Sequence, residues 1–186
     1  MKTVLFFSGV ISILIFTGCS SSRKTVKPAE ARSGEIHSTV VIKKKVAPRV
    51  INTKNIAANK VVSFAETLIG VKYKYGSAIK ENGFDCSGFI TYVFNHFKIP
   101  VPRISYDFTN AGTEVSVKDS KRGDIILFTG SNVNSGVVGH MGLITENKNG
   151  ILKFIHTSES RGVMISGMNS YFLPRFVKVN RIFSVF

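Results

Sequence analysis

The chain has 186 residues, 44% of them apolar and 15 of them Phe, with a formal net charge of +14. That composition carries enough apolar material for one ordinary core, which excludes a disordered chain and leaves one domain with a tail as the expected organisation. The charge is uneven: residues 20–60 hold ten Lys or Arg against two Glu, and residues 61–186 hold fourteen against nine.

In chain order, Lys2 and the run "VLFFSGVISILIF" read as the charged and apolar parts of an export signal over residues 1–18. The run is shorter than the about 20 residues a membrane-spanning helix takes. It ends in "FTGCSSS", where Thr17, Gly18 and Cys19 resemble the lipobox of bacterial lipoproteins, with Phe16 in place of the usual aliphatic residue. The resemblance implies cleavage before Cys19 and a lipid on its sulfur; an ordinary signal cut near Gly18 is the alternative. With Cys19 lipidated, Cys86 has no disulfide partner in the chain. Residues 19–54, rich in Lys, Pro and Ser, read as a flexible basic tether. Its charge suits anionic lipid head groups or an acidic wall polymer, or it simply keeps a solvated linker extended. Nucleic acid is not an expected partner, because no aromatic-basic recognition motif accompanies the charge.

The domain is expected over residues 55–186. Asn55 is placed to cap a helix through "IAANKVVSFAETLIG", with Val61, Phe64, Ala65 and Leu68 on one face and Gly70 ending it. "VKYKYGS" reads as extended and "AIKENG" as a loop. A second helix begins near Cys86, where Phe89, Ile90, Val93, Phe94 and Phe97 recur at helical spacing, and "IPVPR" stops it. Strands follow at 123–128, 137–146, 151–158, 162–166 and 175–183, the second and third joined by the turn "NKNG". Helices first and an antiparallel meander after them define an α+β domain.

Cys86 falls at the first turn of its helix, where free backbone N–H groups and the helix dipole favour a thiolate and offer donors to an oxyanion. A cysteine nucleophile needs a base. His37 lies in the tether and His96 within the apolar helix, which leaves His140 and His156. A loop of 146–150 would set Thr145 opposite Ile151 and His140 opposite His156, on one side of the sheet; a slip of one residue would separate them. Two strand histidines satisfied by backbone, or a zinc site of Cys86, His140 and His156, are the other readings of the same residues.

At these positions the sequence resembles the NlpC family of bacterial cell-wall peptidases, within the papain-like cysteine peptidases. "FDCSGF", "PRIS", "RGDIILF", "GHMGLI" and "FIHTSESRGVMIS" match the family's segments in order. The resemblance implies a papain-like NlpC fold and a triad of Cys86 as nucleophile, His140 as base and His156 as orienting member, with no cofactor or metal. It implies Tyr73, with Tyr75 as rival, beside the oxyanion, and Asp85 and Ser105 as substrate contacts. Ser77 and Phe108 depart from the family's usual glycine and glutamine, which bears on substrate choice. The implied partner is the peptidoglycan stem peptide. The expected bond is the D-alanyl–diaminopimelate crosslink, with D-glutamyl–diaminopimelate as alternative and a non-catalytic wall-binding lipoprotein as the reading from another class. The expected location is the cell envelope, lipid-anchored at the outer membrane and facing the periplasm, with a monomer favoured.

Overall fold

The computed structural model describes residues 49–186, so the export signal, Cys19 and the tether up to residue 48 lie outside the described residues. Two helices, α1 (Ala58–Glu66) and α2 (Cys86–His96), accompany eight strands. Strands β1 (Ala78–Ile79) and β2 (Gly83–Phe84) make a small hairpin. The other six are β3 (Thr113–Val115), β4 (Ile125–Thr129), β5 (Val138–Lys148), β6 (Ile151–Ser158), β7 (Gly162–Gly167) and β8 (Phe176–Arg181). They form one antiparallel sheet in the order β3-β8-β4-β5-β6-β7. The expected α+β class holds. The meander is correct for β4 to β7, but β8 returns to pair with β3 and β4.

Sheet periodicity divides the interior into two cores. Ile125, Leu127, Met141, Leu143 and Ile155 face the helices and pack with Phe89, Ile90, Val93 and Phe94 of α2. Ile126, Phe128, Ile144, Leu152 and Phe154 face the other way, where Phe172 and Val179 complete a smaller, aromatic core.

Three local expectations need correction. Asn55 has a φ of 56° and does not cap α1. The helix starts after Ala57 without a side-chain cap, and the Ala58 N–H instead donates to the Val185 carbonyl at 2.9 Å, so the C-terminal end of the chain satisfies it. The expected loop over "AIKENG" contains the β1–β2 hairpin. The domain begins before residue 55: Arg49 bridges Ala111, and Ile51 is buried because its side chain joins the helix-side core. The strand β3 and a 3-10 turn at Ser105–Asn110 carry too little periodicity to be read in advance.

The β5–β6 hairpin also differs from the expected register. Its turn is the two residues Asn149 and Gly150, both with positive φ (53° and 88°), and Lys148 pairs with Ile151. That register alone would put His140 and His156 on opposite faces. A bulge at Thr145 corrects it, because Glu146 faces Lys153 while Ile144 faces Phe154. His156 therefore lies across from Gly142, two residues from His140, and both rings share a face. The carbonyl freed at the bulge is taken by Arg122, whose Nη1 donates to Thr145 O at 3.0 Å while its guanidinium grips both Glu66 oxygens at 2.8 Å.

Candidate active site

Cys86 is the first residue of α2, and Asp85 is its N-cap. The Gly88 N–H donates to Asp85 Oδ1 at 2.6 Å, fixing the first turn. Arg103, from the "PRIS" segment, donates to both carboxylate oxygens at 3.0 and 2.8 Å and to Ser87 Oγ at 3.0 Å. Gly88 has no room for a side chain: a Cβ there would sit 2.0 Å from the Ser77 carbonyl oxygen, so the hairpin backbone rests directly on the helix end.

The thiol meets the sheet at the start of β5. Its hydrogen bond goes to the Gly139 carbonyl, 3.8 Å away, and not to either imidazole. Gly139 is itself a bulge, since Phe128 pairs with His140 and Thr129 with Val138. It lies so close to Gly130 that a Cβ would be 2.7 Å from that residue's Cα and N. His140 thus sits between two bulges on one strand. Its Nε2 is 3.1 Å from His156 Nδ1, with the rings nearly perpendicular at 88°. Among the described residues its Nδ1 has no protein hydrogen bond. His156 Nδ1 is also 3.1 Å from the Thr157 carbonyl, and its Nε2 is 2.9 Å from Ser166 Oγ.

The surroundings set the charges. The imidazoles belong to the aromatic core, with the Phe172 ring 6.2 Å from His140 and 5.2 Å from His156, and Phe128 and Phe154 alongside. Burial pushes His140 down to about 3, with His156 adding to the fall. Burial pushes His156 down to about 4, partly opposed by the Thr157 carbonyl and helped by Arg161. The Cys86 thiol is pushed up, contrary to the expectation from the helix end. Burial is the main cause and Asp85 adds to it; the N–H groups of Ser87 and Cys86 and the charge of Arg103 pull down without prevailing. Burial therefore disfavours the thiolate and the imidazolium forms alike.

Tyr73 is part-buried and bridges Phe84, close enough for the charges of Cys86 and Asp85 to act on its phenol. Its pKa is raised by burial first and then by Glu159, Cys86 and Asp85. The rival Tyr75 is 84% exposed. Ser105 opens the 3-10 turn, and its hydroxyl has no hydrogen bond among the described residues. The sequence reading missed Arg103, Gly139, Ser166 and Phe172. Arg103 stood within a quoted motif, and Ser166 alternates with Met164 along β7; nothing local marks Gly139 or Phe172. Among the described residues no three His, Cys, Asp or Glu side chains are grouped so as to hold a metal ion. Nor is any helix there long and apolar enough to cross a membrane.

A thiol at a helix end, against a sheet that carries a bonded pair of imidazoles, fits a hydrolase of the cysteine-peptidase type, the class to which the chain's family assigns it. The chain belongs to the NlpC/P60 family, which it matches over residues 70–181. It is 28% identical over 176 residues to the murein DD-endopeptidase MepS/murein LD-carboxypeptidase of Escherichia coli, covering 92% of this chain and 88% of that protein. It is 35% identical over 124 residues to the gamma-DL-glutamyl hydrolase of Bacillus subtilis, covering 66% of this chain but only 29% of that protein. Among solved structures, an NlpC/P60 family protein of Bacillus cereus superposes with a TM-score of 0.61 at 23% identity, over 69% of this chain and 41% of the other.

Proposed function

We propose that this protein is a cysteine endopeptidase that hydrolyses peptidoglycan stem peptides, with the D-alanyl–diaminopimelate crosslink as the bond cut. The observation that carries this is the placement of the Cys86 thiol against Gly139, one residue from an imidazole bonded at 3.1 Å to a second. In this reading the substrate turns the thiol from the Gly139 carbonyl toward His140. Nδ1 of His140 takes the proton as sulfur attacks the scissile carbonyl carbon. The oxyanion is met by the Cys86 N–H and the Tyr73 hydroxyl. His140 then gives its proton to the leaving amine, and the C–N bond breaks to leave a thioester. Water, deprotonated by His140, adds to the thioester and expels the thiolate. His156 holds His140 throughout. Substrate contact is assigned to Ser105, whose hydroxyl has no partner among the described residues. Asp85 is mostly committed to the helix and Arg103, and acts chiefly by shaping the helix end.

Crosslink cleavage is favoured because the similarity to the Escherichia coli protein runs through nearly all of both chains. The higher identity to the Bacillus subtilis hydrolase, confined to a shorter segment, supports the D-glutamyl–diaminopimelate bond as second reading. The cell envelope is the proposed location, with lipid on Cys19 as the anchor and residues 20–48 as the tether. The full chain is incubated with sacculi and the released muropeptides are weighed. Crosslinked dimers converted to monomers are expected, whereas shortened stems would indicate the second bond. Release that persists in Cys86→Ser would defeat the whole mechanism.

A further inference from the structure

We infer that Ser166 is a positioning residue that sets the tautomer of His156, and through it makes His140 a base on the side of the thiol. This rests on the triad reading above. If His140 is to accept a proton at Nδ1, its resting proton must be on Nε2. Nε2 faces His156 Nδ1 at 3.1 Å, so that atom must present a lone pair and His156 must carry its own proton on Nε2. His156 is 3% exposed, and a buried N–H without an acceptor is costly. Its acceptor is Ser166 Oγ at 2.9 Å, from the neighbouring strand.

The competing tautomer has a partner waiting. With the proton on Nδ1, His156 would donate to the Thr157 carbonyl, 3.1 Å away. His140 Nε2, facing that N–H, could then no longer carry a proton; its proton would sit on Nδ1, and the nitrogen meant for the thiol would be blocked. Ser166 Oγ, accepting from Nε2–H, supplies the partner that the productive form needs to hold its proton against the pull of the Thr157 carbonyl. Without the hydroxyl, only the Nδ1–H form keeps a protein acceptor for its proton, and the pair falls into the unproductive arrangement. The strand register allows this contact: His156 pairs with Met164, so Ser166 is the diagonal neighbour on the same face.

The test uses the full chain in detergent micelles, labelled with nitrogen-15 at histidine. The Nδ1 and Nε2 shifts of His156 report which nitrogen carries the proton. The wild type is expected to hold it on Nε2 and Ser166→Ala on Nδ1, with kcat on sacculi falling about 10- to 100-fold and KM little changed. Ser166→Thr, which keeps the hydroxyl, is expected to restore both. In a His156→Asn background the serine substitution is expected to add nothing, because an amide has no tautomer to set. Wild-type His156 protonated on Nδ1, or Ser166→Ala turning over within about twofold of wild type, would overturn the inference. An active Cys86→Ser protein would instead sink the triad reading; an inactive Cys86→Ser beside a fully active Ser166→Ala sinks the serine's role alone.

Discussion

The helix end that carries the thiol and the ribbon that carries the imidazoles are built by different means. At the helix end the framework is mainly local: Asp85 caps, Gly88 admits the hairpin backbone, and Cys86 follows from both, with Arg103 bracing the cap from the segment after the helix. On the ribbon, the position of His140 depends on two bulges, a two-residue turn and an arginine from elsewhere in the chain. The first arrangement is written in neighbouring residues and the second is assembled over distance. Perturbations at the two places should therefore fail differently.

The largest effect is expected where both regions meet. Cys86→Ser should lower turnover by about 10⁴-fold or more, since a serine hydroxyl at that site has no base strong enough to activate it. Its stability should be close to wild type, which thermal denaturation would check. Retained turnover would mean that the helix end contributes nothing beyond structure.

Acid should distinguish the ribbon next. Both imidazoles titrate in the folded protein at about 3 and about 4, below the ordinary value of 6.5. Between the ordinary value and those lowered ones the unfolded chain binds more protons than the folded one, so this contribution is fully present above pH 6.5 and is lost as pH falls from there toward 3. The loss should be on the order of a few kcal/mol. Denaturant titrations at pH 7 and pH 4.5 measure it, and His156→Asn should flatten the difference. An acid loss unchanged in that variant would show that His156 carries none of it.

Arg122→Ala tests the long-range support. It removes the donor to the carbonyl freed at Thr145 and leaves Glu66 alone, which should cost about 1–3 kcal/mol. It should also reduce kcat, because the bulge that brings His140 to the face of His156 is loosened. Equal stability loss without a change in kcat would show that the alternation of the two cores holds the bulge unaided.

This difference also explains what the sequence disclosed. The second helix, its start at Cys86 and strand β6 over 151–158 followed from apolar spacing and local punctuation. The shared face of His140 and His156 was also reached, but through a register that the protein does not use. A five-residue loop and a two-residue loop with one bulge have the same parity, so the faces agreed while the pairing did not. The lowered imidazoles were not legible, because they come from burial among rings brought together by β4, β6 and the segment around Phe172, and the raised thiol comes from burial against the helix-side core. Helix-end electrostatics are local and visible in the sequence; the desolvation that outweighs them is a property of the assembled cores.

The smallest effect should come from the turn itself. Gly150 has a φ of 88°, and nothing lies within 4 Å of where its Cβ would be. Gly150→Ala therefore meets no clash and carries only the strain of a left-handed backbone, about 1 kcal/mol. If the turn dictated register, that strain could be relieved by a slip to a longer loop. Such a slip would move Leu143 off the helix-side core and Ile144 off the aromatic core, a far larger cost than the strain it relieves. The variant is thus expected to melt slightly earlier and to turn over sacculi at the wild-type rate. A large drop in turnover with little loss of stability would mean that the turn, and not the bulge at Thr145 with its arginine, decides where His140 points.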